Sequence, residues 1–575
     1  MTINRIHHRL LSAIFASTAF VSIALAHDTA DGQRGKELFQ PGLKYAAGVN
    51  KQVKDGRPPL YEGLGSMTMM VTTASKEAQA YFNQGWILTW GFNHAEALRS
   101  FREAQRLDPN FAMAYWGEAF VRGPNINDIM HDDAVRPAYE AIQQAKSLSG
   151  KVTEKEKALI DALAARYGAQ PTADRSTFDQ EWAGSMKKVA AQYADDAHVL
   201  VLYADALMNL QPWDYWEVDG VTPKKNAAEI VATLEKALAV SPDHPAAAHL
   251  YIHAVEASAT PERGEAVADR LRGATPGVGH LVHMPSHLYL RLGRHKDSME
   301  ANRAAIAADA AFVAAAGDNV STLYRFGYYP HNVHFLLASA QMSGVKEDVF
   351  RAAERLEAIT SDEVSQQIAW VQAIKTASFS AHAQFSDMQT ILSLKHPSDR
   401  FPFVKGFWHY ARGVAYAQVK DAANARNEIK AIEQLIASTD MSNLEAQFLP
   451  AKTILTLAKN VVEARIAQSG NDLATAEKHL REAVELESSI PYMEPPYWYY
   501  PVRQTLAAVL LQQGRASEAA DMFKAALKER PRNAWALWGL MQAQRKTGDA
   551  ELSKTESAFK KAWLGEANFL TLERL

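Results

Sequence analysis

The chain has 575 residues, too many for one compact core, so several domains or an elongated repeat array are expected. Its composition, with 47% hydrophobic and 22% charged residues, is that of an ordinary folded protein. The net charge of −4 gives no electrostatic reason to expect nucleic acid or an anionic membrane as a partner. The absence of cysteine excludes disulfides, thiolate nucleophiles, iron–sulfur clusters and cysteine-linked haem.

The N-terminal residues have the pattern of a cleaved export signal. Arg5 and Arg9 flank a short apolar stretch, and Ala24-Leu25-Ala26 is a small-x-small cleavage site. We therefore predict a signal peptide over residues 1–26 and a periplasmic or secreted mature protein that begins at His27. No later segment has about 18 consecutive apolar residues, so no membrane span is expected in the mature chain.

Two distant segments share one spacing of small, aromatic and proline residues. Separations of 12, 4, 3 and 5 residues join the same five places in both segments: Gly85, Ala97, Phe101, Ala104 and Pro109, and then Ala507, Ala519, Phe523, Ala526 and Pro531. Small residues allow two helices to approach closely, the aromatic fills the gap between them, and the proline ends the second helix. This pattern resembles the tetratricopeptide repeat, a helix–turn–helix unit with a period of about 34 residues.

Weaker copies of the pattern occur between these two segments, and no stretch alternates like a strand. The predicted fold is therefore all-α, a solenoid of stacked helix–turn–helix repeats. Segments such as "GHLVHMPSHLYLRLGR" and "EPPYWYYPVRQTLAAVLLQQGR" resemble exported bacterial tetratricopeptide proteins, which implies the fold but no activity. The predicted divisions of the chain after the signal are an extended segment over 27–74 and repeats over 75–150, 151–245 (degenerate), 246–360 (His-rich), 361–490 and 491–575.

Histidines are concentrated in the His-rich repeats. Eight of the 19 histidines lie between His249 and His334. His249 and His253 have the i, i+4 spacing that can hold one metal ion, and Glu256, a turn away, could orient a ring. In the family's register, the second, fifth and ninth places of a first helix line the concave groove. Those places hold five histidines: His280, His283, His287, His331 and His334.

Pro285 disturbs this register, because a proline kinks a helix or marks its first turn. If a helix begins at Pro285, His280 and His283 belong to the loop before it. Three interpretations of the cluster stay open: hydrogen-bonding histidines without a ligand, a transition-metal or haem site, and a groove for an acidic peptide or small anion or a catalytic pocket. In the metal hypothesis, His283, His287, His331 and His334 are direct ligands of zinc, copper, iron or nickel, and His249, His253 and His280 are further ligands or supports.

Irregular aromatic segments interrupt the repeats and either pack beneath them or line a binding pocket. The candidate binding residues in these segments are Trp213, Trp216, Trp498, Tyr500 and Arg503. No standard catalytic motif occurs, so the sequence does not decide whether the protein is an enzyme. Two functions from different classes follow: an exported scaffold that binds a protein or peptide in its concave groove, and a periplasmic metal- or haem-binding protein.

Overall fold

The structure, a computed structural model, describes residues 57–172, 174–217 and 219–575. The predicted signal peptide and most of the predicted extended segment lie outside these residues. The described chain is almost entirely helical, and its only β-type pairings are the isolated bridges Asn125–Asp128 and Trp216–Pro223. The all-α prediction is therefore confirmed. No helix in the described ranges is long and apolar enough to cross a membrane.

The described residues form two compact units, each with its own buried apolar core. The first unit contains residues 57–288 and 304–325, and the second contains residues 289–303 and 326–575. This is a coarser division than the repeat boundaries predicted from the sequence, which stay predictions.

Short turns connect the helices of the first unit. Its helices, including two that continue into the second unit, are Lys76–Trp90, His94–Leu107, Ala112–Arg122, Asp132–Leu148, Glu154–Ala164, Ser176–Gln192, Ala197–Asn209, Ala227–Val240, Pro245–Glu256, Glu265–Leu271, Gly279–His283, Pro285–Arg291 and His295–Ala316. Single 3₁₀ turns occur at Ser149–Lys151, Pro261–Gly264 and Gly317–Asn319, and a π-helical turn at Tyr324–Tyr328 leads into the second unit.

The second unit continues the same helix–turn–helix architecture. Its helices are Tyr329–Ser343, Lys346–Ile359, Asp362–Gln367, Ala369–Ile374, Ala377–Phe385, Met388–Leu392, Pro402–Gln418, Ala422–Ser438, Ser442–Ala446, Ala451–Ser469, Leu473–Ser489, Val502–Gln512, Ala516–Glu529, Ala534–Thr547 and Leu552–Ala562. Consecutive long helices pack against each other as pairs, as the repeat pattern predicts.

The repeated aromatic residue is the centre of helix packing in both segments that share the spacing. The side chains of Phe101 and Phe523 are fully buried. Each lies against a glycine 16 residues later, on the next helix: a Cβ on Gly117 would come within 2.5 Å of the Phe101 ring, and one on Gly539 within 2.2 Å of the Phe523 ring. The structure thus adds a further position to the repeat, since the aromatic occupies the space that the glycine leaves open.

We predict opposite effects for two glycine-to-alanine substitutions in the first unit. Gly117→Ala should lower the free energy of unfolding by about 1–3 kcal/mol, because the new methyl group collides with the buried Phe101 ring. Gly184→Ala should raise it by about 0.5–1 kcal/mol, because Gly184 lies inside the helix Ser176–Gln192 with nothing within 4 Å of the new methyl group. Urea denaturation measures the free energy of unfolding of both variants. If the two substitutions changed it in the same direction, the described packing of Phe101 against Gly117 would be contradicted.

Candidate metal centre

Five histidines and one glutamate come together inside the first unit. His249, His253 and Glu256 lie on the helix Pro245–Glu256, and the remaining histidines lie on the helices Gly279–His283 and Pro285–Arg291: His280, His283 and His287. None of the six side chains is more than 3% exposed. The cluster is therefore an interior site and is no part of the protein surface.

The start of the first helix fixes the orientation of its histidines. His244 is the N-cap, its Nδ1 accepts a hydrogen bond from the backbone N–H of Ala247 at 3.2 Å, and Pro245 occupies the first helical turn. With the helix begun at this point, His249, His253 and Glu256 follow at the i, i+4 and i+7 positions of one face. The predicted i, i+4 histidine pair is present, and both of its rings face the interior.

The second and third helices correct the predicted register. One helix ends at His283 and another begins at Pro285, so His280, His283 and His287 do not share the single repeat helix that their spacing suggested. The alternative in which a helix begins at Pro285 is correct. His280 and His283 lie on a short helix of their own, however, and not in a loop.

Phe92 packs against two of the three elements that form the site. Its ring centroid lies 4.6 Å from that of His249 and 5.1 Å from that of His280. Phe92 has the left-handed backbone conformation, with φ of 52°, in the turn after the helix Lys76–Trp90. This turn approaches the histidine helices closely, since a Cβ on Gly91 would lie 2.4 Å from the Val278 side chain. Sequence analysis missed Phe92, because nothing local marks it.

Glu256 is shared by two imidazoles. Its Oε1 lies 2.7 Å from Nδ1 of His253, and its Oε2 lies 2.6 Å from Nδ1 of His287. An ionised carboxylate only accepts hydrogen bonds, so both Nδ1 atoms carry the proton and donate. Each ring therefore presents Nε2, with its lone pair, on the side away from the carboxylate. This carboxylate–histidine arrangement is the one that orients metal-ligating histidines in proteins.

Three imidazoles on two helices have ring nitrogens close enough to share one ion. One ring nitrogen each from His249, His253 and His280 lie within 4.8 Å of one another, and the Nε2 atoms of His249 and His280 are 3.2 Å apart. At zinc–nitrogen distances of about 2.0–2.1 Å, two nitrogens of a tetrahedral site lie about 3.4 Å apart. The separation of His249 and His280 therefore matches the edge of a metal site without rearrangement of the helices.

A second imidazole pair adjoins this triad. Nε2 of His283 lies 2.9 Å from Nε2 of His287, and Oγ of Ser286 lies 3.1 Å from Nδ1 of His283. Because Glu256 fixes the proton of His287 on Nδ1, its Nε2 accepts, and the short contact is a hydrogen bond donated by His283. This pair extends the network outward from Glu256 and supports the ring of His287.

Burial keeps His249 and His280 neutral. Desolvation lowers the pKa of His249 and of His280 well below the ordinary histidine value, and the neighbouring imidazoles lower both further. In His249 the backbone of Trp90 acts in the opposite direction with a smaller effect. Neutral imidazoles offer a lone pair at neutral pH, which is the form that binds transition metals.

The other predicted metal ligands lie in the second unit. There the ring of His331 packs against Phe335 and Trp370, and Nε2 of His334 lies 3.2 Å from the Tyr499 hydroxyl. Their predicted role as metal ligands stays a prediction. The first unit brings together His249, His253 and His280, which the metal hypothesis named as further ligands or supports.

The predicted binding residues divide between the two units. In the first unit, the Trp213 ring lies 4.9 Å from that of His253, and the Trp216 indole donates to the backbone carbonyl of Ala254. Trp213 is 45% exposed. In the second unit, Trp498 is buried, Tyr500 donates to the backbone of Arg574, and Arg503 pairs with Glu529.

A further pair of histidines in the first unit was not singled out by the sequence. Nε2 of His244 lies 3.0 Å from Nδ1 of His198, which also lies 3.2 Å from the indole nitrogen of Trp86. Burial, and then the neighbouring His198, lower the pKa of His244 to about 3. These two residues lie 46 positions apart in the chain, so no local spacing relates them.

A tetratricopeptide repeat family model matches residues 510–555. The match covers the helices Ala516–Glu529 and Ala534–Thr547, in which Phe523 packs against Gly539. The same packing recurs at Phe101 and Gly117 in the first unit. Residues 510–555 are thus similar to a tetratricopeptide repeat.

Solved structures with low similarity to this chain include two that span most of it. The human IFIT1 dimer with PPP-AAAA is 12% identical, covers 91% of this chain and 94% of its own, and gives a TM-score of 0.29. Yeast Tom70 is 15% identical, covers 87% of this chain and 93% of its own, and gives a TM-score of 0.23. Neither likeness bears on a ligand. A comparison with curated proteins found no match.

Acid should destabilise the first unit. Burial lowers the pKa of His94 to about 4 and that of His244 to about 3, against about 6.5 in an unfolded chain. The unfolded state therefore binds these protons first, and the stability present above pH 6.5 is lost as the pH falls toward 4.

We expect His244→Asn to flatten this dependence, since asparagine keeps the N-cap acceptor but does not titrate. Urea denaturation between pH 7.5 and 4.5 measures the free energy of unfolding at each pH. The slope of this free energy against pH should be smaller in the variant by up to about 1.4 kcal/mol per pH unit. An unchanged slope in the variant would show that His244 is not held neutral.

Proposed function

We propose that this tetratricopeptide repeat protein binds one transition-metal ion through His249, His253 and His280. The observation that carries the proposal is the convergence of these three buried imidazoles, whose ring nitrogens lie within 4.8 Å of one another. Imidazole nitrogens are common ligands of transition-metal ions, and three of them this close together can bind one ion at once.

Glu256 acts in this proposal as the orienting group. Both of its oxygens are within 2.7 Å of an imidazole Nδ1, a hydrogen-bond distance that leaves no room for an ion between them. Its negative charge would also compensate part of the charge of a divalent cation, which imidazole ligands do not. The carboxylate therefore contributes to metal affinity through His253, whose Nδ1–H it accepts.

The donor set selects the class of metal. Three imidazoles, with no thiolate in the chain, suit zinc, copper, iron or nickel and do not suit calcium or magnesium. A haem with His249 and His280 as its two axial ligands does not fit, because 3.2 Å between their Nε2 atoms leaves no space for a porphyrin. Three protein ligands leave a fourth position of a tetrahedral ion for water or another small ligand, the pattern of catalytic zinc sites.

The repeat scaffold is compatible with a second role, the binding of a protein or peptide that repeats of this kind commonly provide. The histidine cluster does not support that role, because side chains at most 3% exposed cannot contact a peptide. The metal-binding function is therefore the one that the site favours. The proposed location is periplasmic or secreted, on the basis of the predicted signal over residues 1–26.

The test is metal binding by protein purified without a polyhistidine tag and stripped with a chelator. Titration with Zn²⁺, followed by calorimetry, should show one tight site per chain. The double variant His249→Gln/His280→Gln should lose that site, because only one imidazole of the triad remains, while circular dichroism shows unchanged helical content. The matched control is His334→Gln, which removes an equally buried imidazole from the second unit and should leave zinc binding unchanged.

Glu256→Gln tests the orienting role separately. The amide keeps the size of the side chain but removes the charge and can accept from only one of the two rings. Zinc affinity should fall by about 10–100-fold, with the stoichiometry still one. The proposal fails if the parent protein binds none of Zn²⁺, Cu²⁺ and Ni²⁺, or if the double variant binds as the parent does.

A further inference from the structure

A cleft in the second unit is separate from the histidine cluster and is not used by the proposed metal site. The empty space within it and at its open mouth, solvent included, is about 660 Å³. Residues from helices and from the irregular aromatic segment line it, chiefly Gln341, Tyr410, Arg465, Trp498, Tyr500 and Arg574. Two of these, Trp498 and Tyr500, were predicted from the sequence as pocket residues.

Aromatic rings form the walls of the cleft. The Trp498 ring lies 5.1 Å from that of Tyr410, and Tyr499 and Tyr500 follow Trp498 along the lining. Val414 and Val461 complete the apolar surface. Burial raises the pKa of Tyr410 and that of Tyr499, so both hydroxyls stay neutral at physiological pH. A flat apolar ligand would therefore meet neutral aromatic rings on this side of the cleft.

Three polar atoms of the lining have no hydrogen-bond partner in the described part of the chain. They are Nε1 of Trp498, Nη1 of Arg574 and Oε1 of Gln341, and each atom is buried. Trp498 and Gln341 are only 6% and 2% exposed. Buried polar atoms are nearly always paired in folded proteins, so three such atoms on one cleft indicate a ligand. Two of them donate and one accepts.

The charges of the cleft favour a single negative charge on that ligand. Arg574 stacks on Phe569 at 4.3 Å, and Arg465 donates to the backbone oxygens of Glu573 and Leu575. Neither guanidinium forms an ion pair with an Asp or Glu side chain of the described residues. Glu573 lies on the same lining, where it accepts from Gln512. Of the two guanidiniums, that of Arg574 has an atom without a hydrogen-bond partner among the described residues.

We propose that this cleft binds a small aromatic carboxylate that also carries one hydrogen-bond donor. The carboxylate accepts from the Arg574 guanidinium and the Trp498 indole, the ring packs against Trp498 and Tyr410, and the donor reaches Oε1 of Gln341. A monoanionic carboxylate matches one guanidinium better than a phosphate dianion does.

Three probes of similar shape separate the contributions of the carboxylate charge and of the hydrogen-bond donor to binding. Indole-3-acetate has the carboxylate, the flat ring and the N–H donor. Indole-3-ethanol replaces the charge with a hydroxyl, and naphthalene-1-acetate keeps the charge but lacks the donor. By calorimetry on the full chain, indole-3-acetate should bind at least about tenfold more tightly than either, a difference of about 1.4 kcal/mol. Phenyl phosphate should bind more weakly than indole-3-acetate.

Variants assign the contacts. Arg574→Gln should weaken the binding of indole-3-acetate by at least tenfold, because the positive charge that its carboxylate meets is lost. The affinity for the uncharged indole-3-ethanol should be unchanged. Trp498→Phe keeps an aromatic ring in the wall but removes the indole N–H. It should therefore weaken the binding of both indole-3-acetate and naphthalene-1-acetate. Arg545→Gln is the matched control, because it removes an arginine that pairs with Glu556 outside the cleft. The affinity for each probe should be the same in this variant as in the parent protein.

The proposal is overturned if indole-3-acetate at millimolar concentration does not bind the parent protein. It is also overturned if phenyl phosphate binds more tightly, or if Arg574→Gln and Arg545→Gln behave alike. Because Trp498→Phe changes the wall itself, circular dichroism and thermal unfolding accompany each variant. Should that variant fail to fold, Arg574→Gln and the three probes still decide the outcome.

Discussion

The candidate metal centre depends on one buried carboxylate. Glu256 accepts from His253 within its own helix and from His287 on a helix 31 residues later, so it joins the two segments that carry the cluster. It also sets the tautomer of both rings and directs their Nε2 atoms away from itself. Without these two donors a fully buried carboxylate would be strongly destabilising, so the network and the local fold require each other.

The fold could be predicted because its signal is local and repeated. A spacing of 12, 4, 3 and 5 residues reflects how the two helices of one pair pack together. The same spacing occurs in two segments more than 400 residues apart. Gly117 and Gly539 each lie 16 residues after the aromatic residue that they pack against. The spacing pattern did not include them, because they lie on the helix that follows the repeated pair. A longer spacing template would have found them.

The site could be predicted only in part. The i, i+4 pair of His249 and His253 is a property of one helix, and so is the position of Glu256 a turn later. The pairing of His249 with His280 joins separate helices and left no trace in the spacing. The single-helix register failed at Pro285, where a new helix begins, and the contacts of Phe92 and of His244 with His198 are tertiary throughout.

The most direct test of the central claim is the coordination shell of the bound ion. X-ray absorption at the zinc edge of the zinc-loaded protein should show a shell at about 2.0–2.1 Å with the multiple scattering of three imidazoles. The His280→Gln variant should lose one imidazole from that shell. A shell of oxygen ligands alone, or an imidazole count that does not change in the variant, would contradict the assignment of His249, His253 and His280 as the metal ligands.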